Sequence, residues 1–188
     1  STSSAVLHVD MHDAVISHLK AAVERYKPGI PTEPATTMGA IVSRTQFDRI
    51  MDFIESAMSE GARAVTGGHA VTEGALAQGS FIAPTIFADV TPQMRIAREE
   101  IFGPVLAVRK WSDEDSMLNE VNALELGLTC AIWTRDLVTA HRTAARVEAG
   151  FVWVNEVGRH FLGAPFGGVK QSGIGREEGI GELISFTH

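Results

Sequence analysis

Two adjacent carboxylates, Glu99 and Glu100, stand just ahead of an aromatic residue in the hexapeptide Glu99-Glu100-Ile101-Phe102-Gly103-Pro104. Such carboxylates can accept hydrogen bonds from ligand hydroxyl groups. Read without further context they are solvated loop charges, and Phe102 is a core anchor whose burial contributes about 1.5 to 3 kcal/mol. Upstream, Ser43-Arg44-Thr45-Gln46 has the spacing of a capping box, in which serine and glutamine satisfy free amides at a helix start. Cys130 is the only thiol and so the only candidate cysteine nucleophile within these residues. It sits in Leu128-Thr129-Cys130-Ala131-Ile132-Trp133, where alternation places it beside Leu128 and Ile132 in an apolar setting that raises a thiol pKa and leaves it inert.

Two other patterns fail on spacing. In the glycine-rich stretch from Gly163 to Gly175, Lys170 is followed by Gln171, so the Gly-Lys-Ser/Thr requirement of a phosphate loop is unmet. Gly173-Ile174-Gly175 lacks the third glycine of a dinucleotide fingerprint. His8 and His12 span a strand–helix junction with no further ligand in register, so no metal site is expected.

The hexapeptide with Arg95-Ile96-Ala97-Arg98 before it, then Val152-Trp153-Val154-Asn155 and Gly163-Ala164-Pro165-Phe166-Gly167-Gly168 after it, resembles the aldehyde dehydrogenase superfamily. The resemblance covers nearly the whole chain and is to the carboxyl-terminal catalytic domain. It implies that Glu100 grips the nicotinamide ribose, where a carboxylate can accept from two adjacent hydroxyls, and that Phe102 borders the nicotinamide ring. Family members also carry a ribose-contacting glutamine in a Thr-Gln-Phe setting like that at 45–47, so Gln46 is left between helix cap and cofactor contact. The resemblance places Phe166 in the wall of a substrate tunnel and Arg159, His160 and Phe161 on the stretch that shapes its entrance. Aromatic walls there would exclude water and grip an apolar or aromatic aldehyde, while Arg159 and His160 offer donors to a substrate carboxylate or phenol. Composition alone would make Phe166 a core residue and His160 an ordinary loop histidine.

The resemblance further implies oxidation of an aldehyde to a carboxylic acid with NAD or NADP, through a cysteine thioester. The family's nucleophile and general-base glutamate precede the hexapeptide, so both are expected outside these 188 residues, together with an amino-terminal dinucleotide-binding domain. The fragment alone is then expected to be inactive, with no catalytic residue of its own, and the parent enzyme to be an oligomer. Leu124-Glu125-Leu126-Gly127 imitates the general-base segment but follows the hexapeptide, so Glu125 is read as a surface or turn residue. Rival readings are a naturally short binding or assembly module of the same fold, and an acylating or semialdehyde-specific relative.

The elements that must carry these residues alternate. Ala5 to Val9 reads as a strand and the stretch from Asp10 as a helix, with Val15, Leu19, Ala22, Val23 and Tyr26 at helical spacing. Pro28, Gly29, Pro31 and Pro34 make a loop; Phe47, Ile50, Met51, Ile54, Ala57 and Met58 mark a second helix that Gly61 ends. Strands are predicted at 62–66 and 81–87, where Pro84 suggests an edge or a bulge. A strand at 105–111 leads to a helix capped by Ser112 and running to Ala123. Strand 128–134, helix 136–148 closed by Gly150, and strand 151–155 follow, and the glycine-rich stretch after Phe161 reads as a binding loop. This alternation predicts an α/β fold, a mostly parallel sheet flanked by helices, in a single domain over 1–188.

A net charge of -7, from 16 basic and 23 acidic residues, disfavours binding to nucleic-acid phosphates. No apolar run approaches the roughly 20 residues that cross a bilayer, and no leader pattern opens the sequence. A single cysteine suits a reducing compartment, so a cytoplasmic location is expected.

Overall fold

A computed structural model describes residues 3–187; the ends of the predicted single domain, residues 1, 2 and 188, lie outside the described residues. The chain divides into two compact units, Ser1–Ser112 and Asp113–His188.

The first unit holds a four-stranded sheet in the order β1-β4-β3-β2. β1 (Ser4–His8) and β3 (Thr85–Ala88) both pair in parallel with β4 (Val105–Trp111), and β2 (Arg63–Thr66) adds to β3 in the antiparallel sense. Alternation along the strands divides the core. Phe87, Val105 and Ala107 pack with Phe47, Ile50, Phe53, Ile54 and Ala57 of helix α2 (Arg44–Ser59). Ile86, Ala88 and Val108, on the other face, pack with Ile16 and Leu19 of helix α1 (Val9–Val23). Each helix thus covers one face with one apolar stripe, as an α/β layer structure requires. Gly61, at φ +99°, ends α2 as expected: its N–H reaches Met58 O and the Ala62 N–H reaches Ala57 O, the paired bonds of a Schellman cap.

The predicted strand 81–87 is wrong at its start. β3 begins only at Thr85, and Ile82 forms an isolated bridge to Ala70. Pro84 marks neither an edge nor a bulge; it precedes an internal strand, and the register shift lies in β2 between Ala64 and Thr66. Proline at a strand's threshold removes no ladder donor, which reconciles it with a central position.

In the second unit β6 (Thr129–Ile132) and β7 (Phe151–Val154) pair in parallel, and β5 (Leu126–Gly127) pairs antiparallel with β8 (Val169–Lys170). Helices α4 (Glu114–Asn122) and α5 (Leu137–Arg146) are tied by Glu114, whose carboxylate accepts from Arg142 and from the Thr143 hydroxyl, and by an Asp115–Arg146 ion pair. The cap of α4 is Asp113, not Ser112: its carboxylate accepts from the Ser116 N–H at 2.8 Å, a stronger acceptor one residue closer to the helix. Gly150 does not close α5, which ends at Val147 in extended conformation. It permits close backbone approach instead, since a Cβ there would lie 2.0 Å from Gly167 O. Lys170 donates to the carbonyls of Asn122 (2.6 Å) and Leu124 (3.0 Å), a cation at the carboxyl end of α4 where the helix dipole favours it.

Arg142 holds the Glu114 carboxyl below the usual carboxylate range. A depressed folded-state pKa contributes stability that is present above the unfolded pKa and is lost as pH falls through and below about 4. Glu114→Gln is therefore expected to lower the melting temperature at pH 7 and to flatten the acid limb of a melting-temperature profile from pH 7 to 3. A parallel downward shift at every pH would contradict this linkage.

Candidate functional site

The hexapeptide forms the loop between a single helical turn, α3 (Arg95–Arg98), and β4. Its backbone is held from one face of α2, by residues at the i, i+3, i+4, i+7 spacing that puts side chains in a row. Gln46 Nε2 donates to Ile101 O at 3.0 Å and to Phe102 O at 3.1 Å; Arg49 donates to Glu100 O at 3.0 Å. Ile50 fills the space a Cβ at Gly103 would need, with side-chain carbons 2.7 and 2.8 Å from that point. Phe53 lies 4.0 Å beneath the Arg95 guanidinium, which also bonds Asp52 at 2.5 Å and Glu99 at 3.2 Å. At the other end of α2, Glu60 accepts the Ser56 hydroxyl at Oε1 and the Arg95 N–H at Oε2, and these bonds, that of Ser56 foremost, keep its carboxyl below the usual range.

Three consecutive carbonyls are therefore fixed while two side chains are left over. Glu99 is paired with Arg95, whereas the half-buried Glu100 carboxylate has no ion pair or hydrogen bond among the described residues. Phe102 is 65% exposed and sits at φ +53°, a conformation costing a non-glycine residue roughly 1 to 2 kcal/mol. It is not the core anchor of the plain reading; Ile101, fully buried, has that place. The capping box is half formed: Ser43 Oγ accepts the Gln46 N–H at 3.2 Å, but the Gln46 amide goes to the loop and not back to Ser43. Both donors of that amide serve the loop, leaving its oxygen as an acceptor. The parts of this clamp the sequence reading missed are Arg49, which shares the spacing of Gln46, and the Arg95–Asp52 pair, which spans 43 residues and had no local signal.

In the second unit Phe166 and His160 pack against one another with ring centroids 4.5 Å apart, on a floor of Phe151 and Trp153. Trp153 donates its indole N–H to Arg159 O at 2.7 Å, tying the variable stretch to β7. Arg159 and Phe161 form a separate pair, guanidinium over ring at 5.2 Å. Phe166 is partly exposed at the edge of this cluster and is not a sealed core residue. Phe166 and Glu177 exchange two backbone bonds, so the glycine-rich stretch is anchored as a narrow antiparallel bridge.

Cys130 lies on β6, and burial pushes its thiol above the ordinary value, as expected, although the residue is half-buried and not sealed. Leu128, predicted to share its strand and face, lies outside β6 and is exposed. Glu125 is an exposed turn residue after α4, its carbonyl accepting from the Gln171 N–H. Among the described residues no group of three histidine, cysteine or acidic side chains could hold a metal, and no helix is long and apolar enough to cross a membrane.

The sequence profile of the aldehyde dehydrogenase family matches residues 1–188. Aldehyde dehydrogenase tropH of Talaromyces stipitatus is 51% identical over 192 residues, which are 100% of this chain and 37% of that protein. Betaine aldehyde dehydrogenase of Sinorhizobium fredii is 43% identical over 175 residues, 93% of this chain and 36% of that one. Among solved structures, the NAD+ complex of aldehyde dehydrogenase from Bacillus cereus superposes with a TM-score of 0.87 at 38% identity, covering 94% of this chain and 35% of its own. Betaine aldehyde dehydrogenase from Staphylococcus aureus in complex with NAD+ gives 0.91 at 33% identity, covering 98% and 37%. The chain spans a little over a third of the length of the relatives it matches.

Proposed function

Because the chain belongs to the aldehyde dehydrogenase family, we propose that its 188 residues are the cofactor-facing and substrate-facing portion of a longer enzyme that oxidises an aldehyde to a carboxylic acid. The observation that carries the reading is the α2 clamp, which fixes the backbone of Glu100, Ile101 and Phe102 and leaves a carboxylate and a strained aromatic ring without partners. A carboxylate without an ion pair, two residues from an exposed ring, fits a ribose joined to a flat nicotinamide.

NAD or NADP, when bound, supplies the hydride acceptor. The chain's own work is placement: Glu100 accepts hydrogen bonds from the two ribose hydroxyls, Phe102 covers one side of the nicotinamide, and Gln46 and Arg49 keep both from moving. Holding reactants in a narrow range of geometry can contribute several kcal/mol to a barrier without any covalent role. On the substrate side, Phe166 and His160 over Phe151 and Trp153 offer an aromatic wall for an apolar or aromatic aldehyde, and Arg159 with Phe161 an entrance. The thiolate that forms the thioester and the base that hydrolyses it are assigned to residues outside this sequence, as the order of segments in the family implies, and Cys130, its thiol raised by burial, is a poor nucleophile. Residues 1–188 are read as one catalytic-domain portion, inactive alone.

The full-length protein, given an aldehyde and NAD or NADP, is expected to form carboxylic acid and reduced cofactor in equal amounts. Cys130→Ser is expected to keep that rate, while the isolated 188 residues show none. Turnover by the isolated chain that vanishes in Cys130→Ser would overturn the assignment.

A further inference from the structure

Across from Phe166, His160 Nδ1 lies 2.5 Å from Glu178 Oε1. A carboxylate only accepts, so this contact keeps a proton on Nδ1 and fixes the ring. Nε2, across the ring, has no hydrogen bond among the described residues, and the side chain is 43% exposed.

Glu178 is held unusually firmly for a residue on a loop. It sits at φ +64°, its N–H donates to Glu182 Oε2 at 2.6 Å, and its carbonyl accepts the Gly163 N–H at 2.8 Å. Its second carboxylate oxygen, Oε2, is buried without a hydrogen bond among the described residues. Strain and an incompletely satisfied carboxylate both cost stability that a neutral residue in an ordinary conformation would not. What they secure is the orientation of one imidazole against the Phe166 face.

We propose that Glu178 is a positioning residue that sets the tautomer of His160, so that Nε2 selects an aromatic aldehyde carrying a ring hydroxyl. The inference rests on the reading of His160 and Phe166 as substrate wall. Aromatic packing explains the ring part, since Phe166 and His160 form a continuous surface 4.5 Å between centroids. The hydroxyl follows from the tautomer: a neutral imidazole with Nδ1–H presents Nε2 as an acceptor, which an O–H satisfies and a carboxylate or methyl does not. A ring carrying its proton on Nε2 is instead a donor there, which a carboxylate satisfies better than the weakly accepting phenol oxygen, so the hydroxyl preference belongs to the Nδ1–H form.

Two measurements on different material test this. In long-range 1H–15N spectra of the chain, the neutral His160 ring is expected to be the Nδ1–H tautomer, and Glu178→Gln, whose amide can also donate, is expected to shift it toward Nε2–H. In the full-length enzyme, Glu178→Gln is expected to lower the kcat/KM ratio of hydroxybenzaldehyde to benzaldehyde about tenfold, the upper end of what one neutral hydrogen bond is worth. In a His160→Phe background the same change is expected to leave that ratio unmoved, an outcome that a merely structural role would not give. An unaltered tautomer overturns the positioning role. A shifted tautomer with an unaltered ratio, or a preference for carboxybenzaldehyde, overturns the substrate assignment. A full-length protein that oxidises no aldehyde sinks the functional reading itself, and the spectra still decide the Glu178–His160 pairing.

Discussion

Glu100→Ala in the full-length enzyme is expected to lower kcat/KM for aldehyde oxidation about 100-fold or more, because two charge-assisted hydrogen bonds to the ribose are lost and each has a net worth of at least about 1.5 kcal/mol. Glu100→Gln keeps one acceptor oxygen and is expected to lose about tenfold. Glu99 is the internal control. Its carboxylate is committed to Arg95, so Glu99→Ala is expected to act on stability and to spare the cofactor. Gln46→Ala releases the carbonyls of Ile101 and Phe102 and is expected to fall between the two, at about tenfold, from two neutral hydrogen bonds of about 1 kcal/mol each that steady the loop only indirectly. Steady-state kinetics with each variant, folded by circular dichroism, checks the order. Equal effects for Glu99→Ala and Glu100→Ala would contradict the division of labour within the hexapeptide.

Gly150→Ala is the largest expected effect on stability. The new Cβ would lie 2.0 Å from Gly167 O and 2.8 Å from the carbonyl carbons of Gly167 and Gly168, all of them backbone. No rotamer change relieves such a clash, and overpacking that must move backbone costs about 3 kcal/mol or more. For a chain of this length that corresponds to a fall in melting temperature of roughly 10 °C. Gly181 provides the contrast, being within helix α6 (Ile180–Ser185) with nothing inside 4 Å of the added carbon. Gly181→Ala is expected to stabilise by about 0.5 kcal/mol through the unfolded chain. Calorimetry on the two variants checks this, and similar melting temperatures would contradict it.

What could be read from the sequence was what local pattern controls. β4 was predicted with both ends correct because a continuous apolar run opens it directly after Pro104, and Gly61 because a glycine after an amphipathic stretch is a sufficient stop signal. The Ser112 cap failed by one residue because serine and aspartate compete at adjacent positions and the choice depends on backbone geometry. α3 is a single turn, too short to show a helical stripe, and α6 carries only the three apolar residues Ile180, Leu183 and Ile184 within six positions, too short a run to stand out. The hexapeptide was identifiable from its own residues, but the contacts that make it rigid were not. Arg49 reaches Glu100 across 51 positions and Gln46 reaches Phe102 across 56, and no short-range rule links them. The same holds for His160 and Glu178, 18 residues apart and joined by the bridge between Phe166 and Glu177.

A crystal structure of the full-length protein with NAD bound is the most direct test of the central claim. The Glu100 carboxylate is expected within hydrogen-bond distance of both hydroxyls of the nicotinamide ribose, with Phe102 against the nicotinamide and the Gln46 amide still on the carbonyls of Ile101 and Phe102. A cofactor whose ribose is held by other residues, with Glu100 facing solvent, would contradict it.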